Sequence, residues 1–365
     1  MASIVVSGDV MRRPTGSNLA THLHYLIGLR KLGHEVIYLE DRGAGQPGLS
    51  AVPRAGLVLL GELLRRCRVD VPLVWVNPDA GLVGGMVWPQ LRRRLEKADL
   101  LLDLGGHCWL GERSLPRRRV LIDVDTADAP LAEAGHQLDH DLFFSYHREP
   151  STLADADWLP TIPPVVPRLW YGPPTRAELP LRVRADAAAA PPGTGEQSAC
   201  GVSPGQLLAL PGRISPRPWM ALPAAHAALA AELEGAGWAI RDAAEADSSL
   251  SSYRGNMIGS QAALSLRRGG SAASIWFSSQ DACMLAAGRP VIVSDPDLDS
   301  WLPAGVGLLT FAGFDGSVSA IERIQGELPR HAAAARNIAE RVFHFRVVLP
   351  SLLAQALPRR LEAVA

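Results

Sequence analysis

Apolar and polar stretches alternate along the chain in a way that predicts strands and helices by turns. Ser3 to Ser7 (SIVVS) is a short continuous apolar run, the pattern of a strand covered on both faces. A polar loop from Gly8 to Ser17 follows. Leu19, Leu23, Leu26, Ile27 and Leu29 then recur at helical spacing, which predicts a helix from about Ser17 to Leu32. Gly33 ends it, and Glu35 to Leu39 (EVIYL) resumes as strand before the acidic pair Glu40 and Asp41. Residues 43–52 are a Gly/Pro-rich loop. Leu57 to Arg66 reads as an amphipathic helix, Val71 to Val76 as a strand and Val87 to Lys97 as a helix with a solvated basic face. Three further apolar runs each end in a polar loop. Asp99 to Leu104 leads into Gly105, Gly106 and His107. Arg119 to Val124 leads into Asp125, Thr126, Ala127 and Asp128. Leu142 to Tyr146 ends near His147.

Near Thr152 this pattern breaks. Residues 155–167 are proline-rich and 173–204 are rich in Ala, Pro and Gly with little periodicity, the composition of a linker with a surface insertion. A second series begins at Gln206. It predicts a strand at Leu207–Leu210, a helix at Pro223–Gly235, a strand at Trp238–Arg241, a helix over 250–260 and a strand at Ala262–Leu266. Ser278 and Ser279 stand where a helix N-cap would, Gln280 to Ala287 reads as one short helix, and Gly288 and Pro290 close it before a strand at Val291–Val293. Gly307–Phe311 reads as strand and Ser317–Glu327 as helix. A helical tail from His331 to Leu357 should kink or break near Pro350. Strands alternating with helices define an α/β protein of two Rossmann-like, doubly wound domains, each with its site at the carboxyl ends of its strands. The expected boundaries are 1–170 for the first domain, 171–205 for the linker, 206–340 for the second domain and 341–365 for a C-terminal helix able to cross back to the first.

Composition narrows the class. The 365 residues carry a net charge of −1, and 47% of them are hydrophobic. The basic residues are almost all arginine, as a GC-rich coding sequence would give, and form no dense run with interleaved aromatics, so nucleic acid is not an expected partner. Four cysteines match neither a CxxC pair nor a zinc spacing, which suits a reduced, cytoplasmic protein. No uncharged run approaches the ~18 residues that would cross a bilayer. Gly8 and Gly16 are too far apart for a GxGxxG fingerprint, which disfavours a nicotinamide cofactor at this end.

The chemistry concentrates in the stretch from Ala262 to Asp295. Arg267, Arg268, Gly269 and Gly270 follow a strand, and the capped helix start at Ser278, Ser279 and Gln280 offers hydroxyl and backbone N–H groups. Such a strand–loop–helix unit suits a phosphate-bearing ligand; a surface arginine pair and plain N-capping are the alternatives. Trp276 and Phe277 fill a core or stack on a base.

The stretch NLATHLHYLIGLRKLGHEVIYLED from Asn18 to Asp41 resembles the opening of many bacterial GT-B glycosyltransferases. SIWFSSQDACMLAAGRPVIVSD, with WLPAGVGLLTF and the tail after it, is similar to bacterial glycosyltransferases of the family 4 and family 1 type, which carry a motif like WFSDRSACYLASGRPV. The resemblance covers about residues 1–41 and 250–355. It implies the GT-B architecture, two Rossmann-like domains facing a cleft, with the first holding an acceptor and the second a nucleotide sugar. One departure concerns the donor ribose. The glutamate that commonly lies five residues before the glycine of Gly-x-Pro is Cys283 here, and its partner eight residues earlier is Ile275, so Asp281 is the nearest carboxylate.

On that reading the donor is held by Arg267, Arg268, Gly269, Ser278, Ser279, Gln280 and Asp281, and Thr15, Gly16, Ser17 and His24 contact the acceptor or line the cleft. The acid–base group belongs in the first domain. His107 is the first candidate, because imidazole titrates near neutrality; Asp125, with Asp128, comes next, and Asp9 third. His22 and His24 are two apart and share no helix face, so they make no helical metal pair. The cluster His136, Asp139, His140 and Asp141 reads as a solvated loop. The activity expected is metal-independent transfer of a glycosyl group from a nucleotide sugar, used as co-substrate with no other cofactor, to a small-molecule acceptor of natural-product type. A homodimer is compatible with it. An epimerase, a coupling enzyme and a non-catalytic auxiliary partner remain open.

Overall fold

The computed structural model describes residues 1–41, 55–77, 82–108, 116–124, 140–146, 157–185, 201–266 and 277–357. The chain divides into two compact units. The first comprises Met1–Pro14, Asn18–Pro164 and Phe345–Ala365; the second comprises Thr15–Ser17 and Val165–His344.

In the first unit the strands are β1 (Ser3–Ser7), β2 (Glu35–Asp41), β3 (Leu73–Asn77), β4 (Leu82–Gly84), β5 (Leu100–Leu104), β6 (Arg119–Asp123), β7 (Leu142–Ser145) and β8 (Trp158–Pro160). They form one sheet in the order β4-β3-β2-β1-β5-β6-β7-β8. Only β4 runs antiparallel, on the edge against β3; β1 pairs in parallel with both β2 and β5. The order therefore reverses between β1 and β5, and loops leaving these two strands part to opposite faces, leaving a crevice at their carboxyl ends. Helices α1 (Gly16–Lys31), α2 (Ala55–Arg66) and α3 (Trp88–Lys97) supply the crossovers. Leu91, Leu95 and Ala98 pack with Val5, Ile37, Leu39, Val74, Val76 and Leu101 into the apolar core on one face of the sheet.

The second unit holds a parallel sheet in the order β11-β10-β9-β12-β13-β14. Its strands are β9 (Arg182–Ala185), β10 (Trp219–Leu222), β11 (Ala239–Asp242), β12 (Ala263–Leu266), β13 (Val291–Val293) and β14 (Leu308–Thr310). The helices are α4 (Pro204–Ala209), α5 (Ala227–Gly235), α6 (Ala243–Ala246), α7 (Leu250–Ile258), α8 (Ser279–Ala286), α9 (Gly313–Gly326) and α10 (Leu328–Ile338). The reversal here falls between β9 and β12. Helix α11 (Phe345–Ala356) belongs to the first unit. It lies close against α1 because Gly28 has no side chain: a Cβ there would come 2.5 Å from Leu349 and 2.9 Å from Phe345.

Three expectations are corrected. The stretch 171–205, expected as linker, contains β9, a central strand of the second sheet. Leu207–Leu210, expected as strand, is helix and 3-10 turn. Ser203 accepts from Gln206 N–H while Gln206 reaches back to Ser203 N–H, and this capping box with Pro204 at the first helical position fixes a helix start. The C-terminal helix does not break near Pro350, which lies inside α11. It breaks at His344, after a π turn at Ala339–Phe343, where His344 bridges Val165 and Val165 N–H donates to Phe343 O at 2.7 Å. A tertiary bridge, rather than the proline, sets the interruption.

Candidate functional site

Buried polar residues collect at the carboxyl end of the first sheet, where a doubly wound fold binds ligands. Ser7 ends β1 and Asp9 follows it, Glu40 and Asp41 end β2, Asp103 lies at the end of β5 with His107 in the loop after it, and Asp123 ends β6; all are under 10% exposed. Asp9 is the hub. Its Oδ1 accepts from Asn18 Nδ2 at 3.0 Å, and its Oδ2 from Arg13 Nε. His107 Nε2 lies 3.5 Å from the same Oδ2. The ring is held from its backbone, because Asp103 accepts from His107 N–H at 2.9 Å and from Cys108 N–H at 3.1 Å. Asp103 also pairs with His140 Nε2 at 3.3 Å.

The electrostatics follow from this geometry. Burial alone would raise the Asp9 carboxyl, but His107 and Arg13 outweigh it and hold it below the usual carboxylate range. Burial lowers His107 from its ordinary 6.5, against the opposing pull of Asp9 and Asp103. A neutral imidazole that turns Nε2–H toward Asp9 keeps its lone pair on Nδ1. That Nδ1 is buried and has no hydrogen-bond partner among the described residues. An ionised carboxylate beside a neutral histidine makes an acid–base pair in which the carboxylate favours protonation of the ring.

The loop between β1 and α1 is closed on itself. Val10 N–H donates to Tyr38 Oη at 3.3 Å and Met11 N–H to Glu40 at 2.9 Å. The N–H groups of Arg12 and Arg13 both donate to Asp9 O. None of these four N–H groups is left to grip a phosphate, as the same loop does in dinucleotide-binding folds. His22 supports the loop from beneath. Its Nδ1 donates to Asn18 O at 2.8 Å, and its Nε2 fills the space beside Gly8, 1.9 Å from where a Cβ would stand.

In the second unit charge gathers at the sheet reversal. Arg182 and Arg184 alternate with buried Leu181 and Val183 along β9, so the two arginines share the opposite face. Arg182 Nη2 donates to Gln280 Oε1 at 2.8 Å in the first turn of α8. Its guanidinium also lies 5.5 Å from the ring centroid of Trp219. Arg184 pairs with Asp281 at 3.5 Å. Ser278 caps α8 by accepting from Asp281 N–H at 3.0 Å, and Ser279 Oγ is buried without a partner. The start of α8 thus combines a positive helix end, two arginines and a buried hydroxyl without a partner among the described residues.

Of the residues singled out from sequence, His107 and Asp9 come together, and Ser278, Ser279 and Gln280 start α8. Asp281 is 2% exposed, with Ser265 Oγ at 2.7 Å on Oδ1 and Arg184 on Oδ2, so its carboxylate ties α8 to β12 and β9. The neighbouring Cys283 is 1% exposed, and burial pushes its thiol well up. Thr15, Gly16 and Ser17 are engaged by protein groups: Gly16 N–H donates to Asp247 O at 2.8 Å and Ser17 N–H to Asp247 Oδ1 at 2.6 Å. His24 is 3% exposed, and burial lowers it to about 3, so it packs as a neutral ring. Phe277 is buried and stacks on Phe343 at 4.7 Å, a core role. Arg267, Arg268, Gly269, Asp125, Asp128, Trp276, His136 and Asp139 lie outside the described residues. Sequence reading missed Arg182 and Arg184; the signal was the L-R-V-R alternation inside an otherwise patternless stretch. Among the described residues no group of three or more His, Cys, Asp and Glu could hold a metal ion, and no helix is long and apolar enough to cross a membrane.

No family model matches the chain, and no curated protein matches it. Solved structures do. AviGT4, a glycosyltransferase of avilamycin A biosynthesis, is 15% identical over 98% of this chain and 97% of its own, with a TM-score of 0.57. HepE of Anabaena in complex with UDP-glucose is 11% identical over 97% and 99%, with a TM-score of 0.56. An α-glucosyltransferase in complex with UDP and DNA is 10% identical over 98% and 100%, with a TM-score of 0.60. The chain has the α/β fold of GT-B glycosyltransferases, built of two parallel-sheet domains.

Proposed function

We propose that this protein is a glycosyltransferase that moves a sugar from a nucleotide-activated donor to a hydroxyl of a small, natural-product-like acceptor. The observation that carries the reading is the Asp9–His107 pair at the reversal of the first sheet, with His107 Nε2 3.5 Å from Asp9 Oδ2. His107 takes the acceptor proton while Asp9 fixes the ring and stabilises the imidazolium that forms. The second unit holds the donor. Arg182, the start of α8 and Ser279, together with Arg267 and Arg268 of the segment leading into it, neutralise the diphosphate as it leaves. These groups do the work of a divalent cation, so the reaction is metal-independent. The nucleotide sugar is a co-substrate and no further cofactor takes part, since the closed β1–α1 loop offers no backbone grip for a dinucleotide. The protein works in the cytoplasm. The UDP and UDP-glucose bound to HepE and the UDP bound to the α-glucosyltransferase support a nucleotide sugar as donor.

The test is calorimetric titration of the full chain with UDP, dTDP, GDP and their sugar conjugates, followed by product analysis with hydroxylated acceptors. Binding of one nucleoside diphosphate with sugar transfer lost in His107→Asn is the expected result. Absence of binding to any of them overturns the donor assignment. One observation favours a second reading, a nucleotide-sugar-binding partner without transferase activity: Cys283 occupies the usual glutamate position and is sealed in the core. Binding without transfer to any acceptor would decide for it.

A further inference from the structure

Glu40 is a carboxylic acid with no place in the chemistry above, yet it is 1% exposed. Burying such a group away from water is expensive unless its oxygens are hydrogen-bonded. Both are. Met11 N–H lies 2.9 Å from Oε1 and 2.9 Å from Oε2, and Tyr38 Oη donates to Oε1 at 2.5 Å. Tyr38 and Glu40 are two apart on β2 and so project from the same face. The tyrosine in turn accepts Val10 N–H and meets the His22 ring edge-on, with centroids 5.6 Å apart. One residue on, the Asp41 carbonyl accepts from Arg12 Nη2 at 2.8 Å. The end of β2 thus grips residues 10, 11 and 12, immediately after Asp9.

We propose that Glu40 is a positioning residue: its carboxyl, with Tyr38, clamps the β1–α1 loop and so sets the separation of Asp9 from His107. The proposal rests on the reading of His107 as the base. The clamp acts through the backbone of Val10 and Met11, since the charges acting most strongly on His107 are Asp9, Asp103, Arg13 and Arg12. Asp9 raises the His107 titration midpoint, so a loosened loop lets that midpoint fall.

Histidine-labelled full-length protein is titrated by NMR, with the His107 signal among the ten histidines assigned from the spectrum of His107→Asn. Glu40→Ala is expected to lower the His107 midpoint by roughly half a pH unit or more, a several-fold change in proton affinity. Glu40→Gln keeps an acceptor oxygen for Met11 N–H and should leave the midpoint near the wild-type value. Tyr38→Phe keeps the ring against His22, loses the hydroxyl and should give a smaller fall; it carries the test if Glu40→Ala does not fold. Unchanged midpoints in Glu40→Ala and Tyr38→Phe overturn the clamp. So does a Glu40→Gln shift as large as that of Glu40→Ala, because the acceptor oxygen kept for Met11 N–H would then make no difference. If the midpoints move as expected while no sugar is transferred by the wild type, the clamp stands and the transferase reading falls.

Discussion

As the base proposed above, His107 would act only when deprotonated. Its ordinary value of 6.5 is lowered by burial, so kcat/KM should rise with pH along a limb that lies below 6.5 and level off above it. Asp9 opposes that lowering, so Asp9→Asn should move the limb further down while reducing kcat. His107→Asn should reduce kcat by about 10²- to 10⁴-fold with the donor KM unchanged, as steady-state kinetics will show. The Glu40 carboxyl shifts the other way: burial raises it from 4.5 to about 8. The unfolded chain then loses its proton before the folded one does, so this group's contribution to stability is whole below about 4.5 and is lost as pH rises toward about 8. Thermal melts should show the wild type losing stability between about pH 4.5 and about 8, and Glu40→Gln flattening that loss. At this scale the sequence was half legible. His107 and Asp9 stood out because polar residues after buried strands mark ligand-binding edges. Glu40 showed only as one of an acidic pair, since nothing local reveals that its partner N–H lies 29 residues earlier.

Strand β9 teaches the same lesson for elements. A central parallel strand is usually a continuous apolar run, and Arg182 and Arg184 spoil that pattern, so the segment read as linker. The first unit's strands were legible because β1, β5 and β6 keep it. The arginines also separate by role. Arg182→Met should weaken binding of the nucleoside diphosphate by about tenfold or more, a loss of roughly 1.4 kcal/mol, with little change in the urea midpoint. Arg184→Met removes the ion pair to the buried Asp281 and should cost roughly 3 kcal/mol in urea unfolding, with the Ser265 hydrogen bond and the charge of Arg182 limiting the damage. The β1–α1 junction gives a second test. Gly8→Ala would drive a methyl into His22 Nε2, and overpacking of this kind costs roughly 1–3 kcal/mol. His22→Ala should recover much of that loss in the double variant, a non-additivity expected of residues in contact.

At the scale of the whole molecule, the two-sheet plan was readable from the recurrence of short apolar runs and helical stripes. Its division was not, because the first unit is discontinuous: it takes its last helix, α11, from the far end of the chain. No periodicity within His331–Leu357 says which sheet a helix will join; that is settled by Gly28 opening a space on α1 for Leu349 and Phe345. Gly28→Leu should therefore lower the melting temperature of the first unit, with binding to the second unit's ligand intact by calorimetry.

The placement of α11 also governs the order in which the protein can be completed during synthesis. Chains generally fold unit by unit from the N-terminus. Here the first unit has emerged through Pro164 while the helix that covers α1 is still nearly two hundred codons away. The second unit, apart from Thr15–Ser17, is contiguous and needs nothing beyond His344. The nascent chain thus carries an uncovered apolar stripe on α1 throughout translation of the second unit, and the first unit is the last of the two to be finished.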